Sequence, residues 1–372
     1  RAAMKAAVAA STVLLGLSLS ACRPTPEPLH IGFVGGLSGR VVDLGEAGRN
    51  GVMLAVDDIN AAGGVGGRPV TVSYVDDAQD PVMAKAAVRQ LVDEKARLLI
   101  GPMTSAMAEA MLPEIESAGL VTLSPTATAS SLAGKDDMLL RVAPSVQSYT
   151  MQQAKLDHDK GTRRVAIVYD LGNRAFSTDW AKQYGAAIKQ LGAEVVAEQS
   201  FSSGDEATQA AALQAVRSAL PDSLMIVASA VDTVRLLQQA RQLGLNQRVS
   251  SSSWAGTEVL IQLGGRAVEG MATAQLFDRD SPQPRYQAFA QRYRERFKQE
   301  PGFASVGAYD AALAGLQGLA KAPAGGTALK KALIDGGPYP GLQEEWRFDA
   351  TGDTQRQVRI AVVRDGKFMV PR

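Results

Sequence analysis

Two short apolar runs, Leu98–Ile100 and Leu120–Leu123, each break off into a turn of small residues, and a segment with apolar side chains at helical spacing joins them. The first turn is Gly101-Pro102-Met103-Thr104-Ser105, and the second is Ser124-Pro125-Thr126-Ala127-Thr128. Between them Met107, Met111, Leu112 and Ile115 recur at the spacing of one helix face. The stretch therefore reads strand, turn, helix, strand, turn. In an open parallel sheet both turns lie at the carboxyl ends of strands, where such sheets hold ligands. Hydroxyls and free backbone N–H groups at helix starts suit a carboxylate or another anion. Ser105 and Thr128 are also ordinary helix-capping residues; it is the pair of adjacent turns that points to a site.

The same alternation governs the rest of the chain. Strands are expected at 30–34 and 69–75, with helices at about 45–62 and 80–95, the second opening on Asp80 as cap and Pro81 as first helical residue. A second series follows: strands over 141–148, 164–169, 194–201, 223–228, 247–252 and 270–275, with helices at about 149–160, 178–191, 207–219, 231–243 and 257–263. Residues 170–177 are expected to be a polar turn. Helices then cover most of 284–319 and 327–335, and short strands near 345–348, 358–363 and 367–370 return to finish both sheets. Strand–helix units repeating about every 30 residues build parallel sheets with helices on both faces. With 372 residues, the chain has enough length for two such bodies. A two-lobed body with several crossings holds its ligand between the lobes.

The amino end differs in kind. Residues 6–21 are almost uncharged, follow Arg1 and Lys5, and end Leu19-Ser20-Ala21-Cys22. The run is short for a membrane span and has the form of a secretion signal. Its end resembles a bacterial lipobox, so 1–21 is expected to be removed and Cys22 lipidated, with 22–28 as an extended tether. Cys22 is the only cysteine, so no internal disulfide forms.

Enzymatic chemistry finds little support. The two histidines, His30 and His158, have no metal-ligand spacing. GGVGGR at 63–68 matches neither a P-loop nor a dinucleotide fingerprint. Acid pairs such as Asp76-Asp77 are adjacent, so their side chains diverge. No basic stripe interleaved with aromatics points to nucleic acid, and the formal net charge is +1. No cofactor or metal is expected.

Taken together, IGFVGGLSG (31–39), AVDDINAAGGVGGRPV (55–70), DDAQDP (76–81), IGPMTSA (100–106), LSPTATA (123–129), LLQQARQLG (236–244), VEGM (268–271), AYDA (308–311) and FDATGD (348–353) resemble the leucine/isoleucine/valine-binding group of type 1 periplasmic binding proteins. These are extracytoplasmic solute receptors of ABC importers. The resemblance implies an α/β fold of two Rossmann-like lobes with parallel-sheet cores, joined by three crossovers near 143–147, 275–278 and 347–351. Lobe one is then 29–145 plus 277–348, and lobe two 146–276 plus 349–372. It further implies a small-molecule ligand in the cleft, hinge closure, a permease partner, and an anchor to a membrane at Cys22.

The family's binding positions carry over unevenly. Ser105 and Thr128 match its serine and threonine, Thr126 stands where a backbone group is used, and Leu44 where some members have tyrosine. In lobe two, Phe176 corresponds to an aromatic, Ser229 to a tyrosine, and Ser253 to the acid that meets a ligand ammonium, with Trp254 beside it. Ser105, Thr126 and Thr128, with N–H groups near Ala106 and Ala127, are expected to donate to a carboxylate, while Phe176 and Trp254 close over the remainder. An aliphatic or branched-chain amino acid is the expected ligand. The missing acid at Ser253 keeps open an aromatic or fatty carboxylate without an ammonium, and Asp232, Asp278 and Asp310 are the possible substitutes. A sensor that regulates a partner through the same cleft is the remaining alternative.

Overall fold

The structure, a computed structural model, describes residues 27–371; the expected signal and lipidation site at Cys22 lie outside these. The first sheet contains β1 (Leu29–Gly35), β2 (Val70–Asp76), β3 (Leu99–Ile100), β4 (Thr122–Ser124) and β5 (Leu139–Arg141). All five run parallel, in the order β2-β1-β3-β4-β5. Its connecting helices are α1 (Val42–Ala61), α2 (Pro81–Asp93) and α3 (Ser105–Ala118). As the sequence indicates, Asp80 caps α2, its Oδ1 accepting from Val82 N at 2.7 Å and Met83 N at 3.1 Å.

The second sheet contains β6 (Arg164–Asp170), β7 (Glu194–Phe201), β8 (Ser223–Val227), β9 (Arg248–Ser251) and β10 (Ala272–Gln275), mutually parallel. Its helices are α4 (Val146–Asp159), α5 (Arg174–Gln190), α6 (Glu206–Ser218), α7 (Ala230–Gln242) and α8 (Glu258–Gly264). The chain then builds α9 (Pro284–Phe297), α10 (Phe303–Lys321) and α11 (Gly326–Gly336) on the first lobe, where α10 packs along α1. Gly51 permits that approach: a Cβ there would stand 2.2 Å from the carbonyl oxygen of Ser305. A ribbon of β11 (Tyr339–Pro340) and β12 (Glu345–Trp346) follows. Finally β13 (Arg359–Arg364) and β14 (Lys367–Met369) join the second sheet antiparallel, giving the order β14-β13-β10-β9-β8-β6-β7.

Three expectations need correction. The apolar run 141–148 is not one strand: only Arg141 belongs to β5, and α4 begins at Val146 directly after Pro144 and Ser145. The turn at 170–177 is shorter than expected, because α5 starts at Arg174 and places Phe176 on a helix. The closing strands finish one sheet only; residues 345–346 pair with 339–340 instead of extending the first sheet.

Candidate functional site

At the carboxyl end of β3 the chain turns into α3, and Ser105 is that helix's first residue. Its Oγ accepts from Thr128 N and Ala129 N, both at 3.1 Å, which leaves its own proton free to donate. The second turn is thereby tied to the first. Two further bonds complete the join: Thr126 Oγ1 donates to Met103 O at 2.5 Å, and Ser124 Oγ donates to Pro102 O at 2.7 Å. The N–H groups expected to help hold a carboxylate already have partners. Ala127 N donates to Ser124 Oγ at 3.1 Å, and Ala106 N donates to Asn173 Oδ1 at 3.1 Å, across the cleft from the start of α5. Thr128 differs: only 3% exposed, its Oγ1 makes no hydrogen bond among the described residues.

These turns form one wall of two adjoining hollows that share Thr126, Ser253 and Phe303. The smaller, ≈ 290 Å³ with its mouth, brings Ser105, Leu44, Phe176 and Trp254 together. Phe176 and Trp254 meet edge to face, with ring centroids 6.0 Å apart and planes at 85°. The larger, ≈ 480 Å³ likewise with its mouth, is lined by residues that include Thr128, Tyr149, Gln275, Phe277 and Arg356. Burial holds the Tyr149 phenol above its ordinary pKa, so this wall is neutral there. Ser105, Thr126, Thr128, Phe176, Ser253 and Trp254 are thus gathered in one place. Ala127 and Ser229 are not on these walls. Ala127 is fully buried, and Ser229 caps α7, accepting from Asp232 N at 3.2 Å.

None of the three acids considered for an ammonium lines either hollow. Asp232 takes Arg40 from the opposite lobe, with Nη2 to Oδ1 at 2.5 Å and Nε to Oδ2 at 3.2 Å. Asp310 takes Arg356 Nη2 at 3.0 Å and Leu342 N at 2.9 Å; burial pushes its carboxyl up, and the guanidinium pulls it back. Asp278 accepts from Asp280 N at 2.9 Å. Asn173, Tyr149, Gln275, Phe303 and Arg356 were not foreseen from the sequence. They come from separate segments, and no local pattern marks them. Among the described residues no three His, Cys, Asp or Glu side chains converge as metal ligands.

The lobes are bridged at the rim by Arg40–Asp232 and by Thr257 Oγ1 donating to Asp43 Oδ2 at 2.5 Å. Arg40 is one-third exposed and Asp232 buried, so the pair is worth about 1 kcal/mol net. Arg40→Ala is expected to lower affinity for any cleft ligand by roughly threefold to tenfold and to raise the radius of gyration in small-angle scattering. Unchanged values for both would remove this pair from the closing contacts.

The family model described as periplasmic binding protein matches residues 28–367. The chain is similar to the Leu/Ile/Val-binding protein BraC3 of Rhizobium johnstonii, with 30% identity over 206 residues, 52% of this chain and 53% of that protein. The match therefore spans about half the length of that curated relative. Among solved structures it is similar to the branched-chain amino acid transporter substrate binding protein LivJ from Streptococcus pneumoniae, in complex with isoleucine. That likeness has a TM-score of 0.85 and 24% identity, covering 92% of this chain and 99% of that one. It is also similar to a solute binding protein of an ABC transporter from R. palustris, in complex with benzoate, with a TM-score of 0.83 and 20% identity over 92% and 95% of the two chains. These structural likenesses carry the two-lobed α/β fold.

Proposed function

We propose that this chain, which belongs to the periplasmic binding protein family and within it to the type 1 group that includes the Leu/Ile/Val-binding proteins, captures a small apolar or aromatic carboxylate that carries no ammonium. One observation carries the choice of ligand: neither hollow has an acidic side chain on its wall. An ammonium enclosed there meets only neutral acceptors, which is unfavourable. A carboxylate, by contrast, finds the hydroxyl protons of Ser105 and Thr128 beside the positive end of α3. Phe176, Trp254 and Phe277 supply the apolar surface for the rest of the molecule.

In this reading the lobes are 29–145 plus 277–348 and 146–276 plus 349–372, residues 1–21 are a signal, and 22–28 tether a lipidated Cys22 to a membrane. The cargo passes to the permease of an ABC importer, the partnership that the family supports. An amino acid is the competing ligand, and the likeness to the Leu/Ile/Val-binding protein BraC3 and to LivJ favours it.

Calorimetric titration of leucine against 4-methylpentanoate, its deaminated counterpart, decides between them. The acid is expected to bind about tenfold tighter, the effect of leaving an ammonium without an ionic partner. Tighter binding of leucine would return the cleft to the amino acids.

A further inference from the structure

Gln275 ends β10 with its side chain in the larger hollow. It is 1% exposed, and its Oε1 makes no hydrogen bond among the described residues. Buried polar atoms are almost always paired, so an acceptor left open on a cavity wall needs a donor from the cavity. A carboxylate has no proton to give at neutral pH. An ammonium is set aside by the reading of the cleft given above, in which no wall carboxylate meets its charge. Arg356 itself is already bound by Asp310 and Glu344, each at 3.0 Å, so the larger hollow does not select a second anion. The chemistry that remains is a neutral donor held among apolar side chains.

We propose that Gln275 recognises a hydroxyl group on the ligand, making the cargo a hydroxylated apolar or aromatic acid. This rests on the reading of the cleft as a carboxylate site. The acid group stays at the Ser105 turn of the first lobe, and the hydroxyl reaches β10 of the second. The ligand thereby ties the lobes together through its two polar ends. A site built around a buried hydrogen-bonding group also rejects analogues that leave that group unpaired, which makes Gln275 a specificity determinant.

The test titrates benzoate, 3-hydroxybenzoate and 4-hydroxybenzoate into the wild-type protein and into Gln275→Leu. One hydroxylated isomer is expected to bind wild type about tenfold tighter than benzoate. In Gln275→Leu that advantage disappears while benzoate affinity holds or improves, because the variant removes an unpaired buried acceptor. Gln275→Glu keeps an acceptor and adds a charge: it should retain the hydroxyl preference while weakening all three acids, and it carries the test if the leucine variant does not fold. Equal binding of all three acids by wild type overturns this inference and leaves the carboxylate reading standing. So does a hydroxyl preference that survives in Gln275→Leu, or one that is lost in Gln275→Glu. Binding of leucine with none of the three acids overturns the carboxylate reading and this inference together.

Discussion

Replacing Ser105 with alanine is expected to lower affinity for 4-methylpentanoate by about 100-fold, equivalent to roughly 3 kcal/mol. Two losses combine. The direct one is a hydrogen bond to an ionised ligand, worth about 1.5–3 kcal/mol. The second is internal: Ser105 Oγ accepts from both Thr128 N and Ala129 N, and alanine leaves two buried donors without their partner. The second turn then loses its fixed position, and the Thr128 hydroxyl moves with it. Thr128→Val separates the effects, since it keeps the shape and removes one hydroxyl that has no protein partner; about tenfold is expected from it. Calorimetry on both variants, with melting curves to confirm folding, measures the difference. Binding by Ser105→Ala within threefold of wild type would mean that the carboxylate lies elsewhere.

Asp310→Ala destabilises the protein by about 3–5 kcal/mol in urea unfolding, the range found when a buried pair loses one partner. Asp310 is 1% exposed on α10, and the Arg356 side chain 3% exposed, with Glu344 holding the guanidinium from its other side. The carboxylate also accepts from Leu342 N, so its removal leaves a backbone donor unpaired as well as a guanidinium short of one counter-charge. Because α10 packs on the first lobe and Arg356 leads into β13 of the second, the pair joins the lobes close to where the chain passes between them. Asp310→Leu combined with Arg356→Leu removes the buried pair at once and should recover part of the loss, since Glu344 and Leu342 N still lose a partner. A single variant that costs less than about 1 kcal/mol would show that water replaces the missing carboxylate.

Most of the architecture was legible because strands buried on both faces write themselves as continuous apolar runs. LHIGFVG at β1 and SLMIV at β8 are of this kind. Reading failed where an apolar run crossed a change of element. Val142, Ala143 and Val146 continue the pattern of β5, yet Pro144 and the cap at Ser145 turn the chain into α4. The start of α5 was hidden because Gly172-Asn173 looks like a loop, while Asn173 stands at the N-cap position of α5 and sends its Oδ1 across the cleft to Ala106 N. The turn residues that line the hollows were visible because they fall in two contiguous stretches, 101–105 and 124–128. Gln275, Arg356 and Tyr149 were not, since each is an ordinary residue in its own segment and becomes part of a cavity wall only when both sheets are in place.

The bond from Ala106 N to Asn173 Oδ1 changes how recognition at the start of α3 should be understood. In the proposed reading a carboxylate oxygen that reached this N–H would not fill an open valence; it would have to displace an amide oxygen belonging to the opposite lobe. The number of hydrogen bonds at that N–H is the same before and after. What differs is that a neutral dipole is exchanged for an ion at the positive end of a 14-residue helix. A primary amide offers the same acceptor geometry as an acid but brings no charge, so it has nothing with which to outcompete Asn173. Discrimination at this edge would then be a contest between a resident group and an incoming one, with charge deciding it.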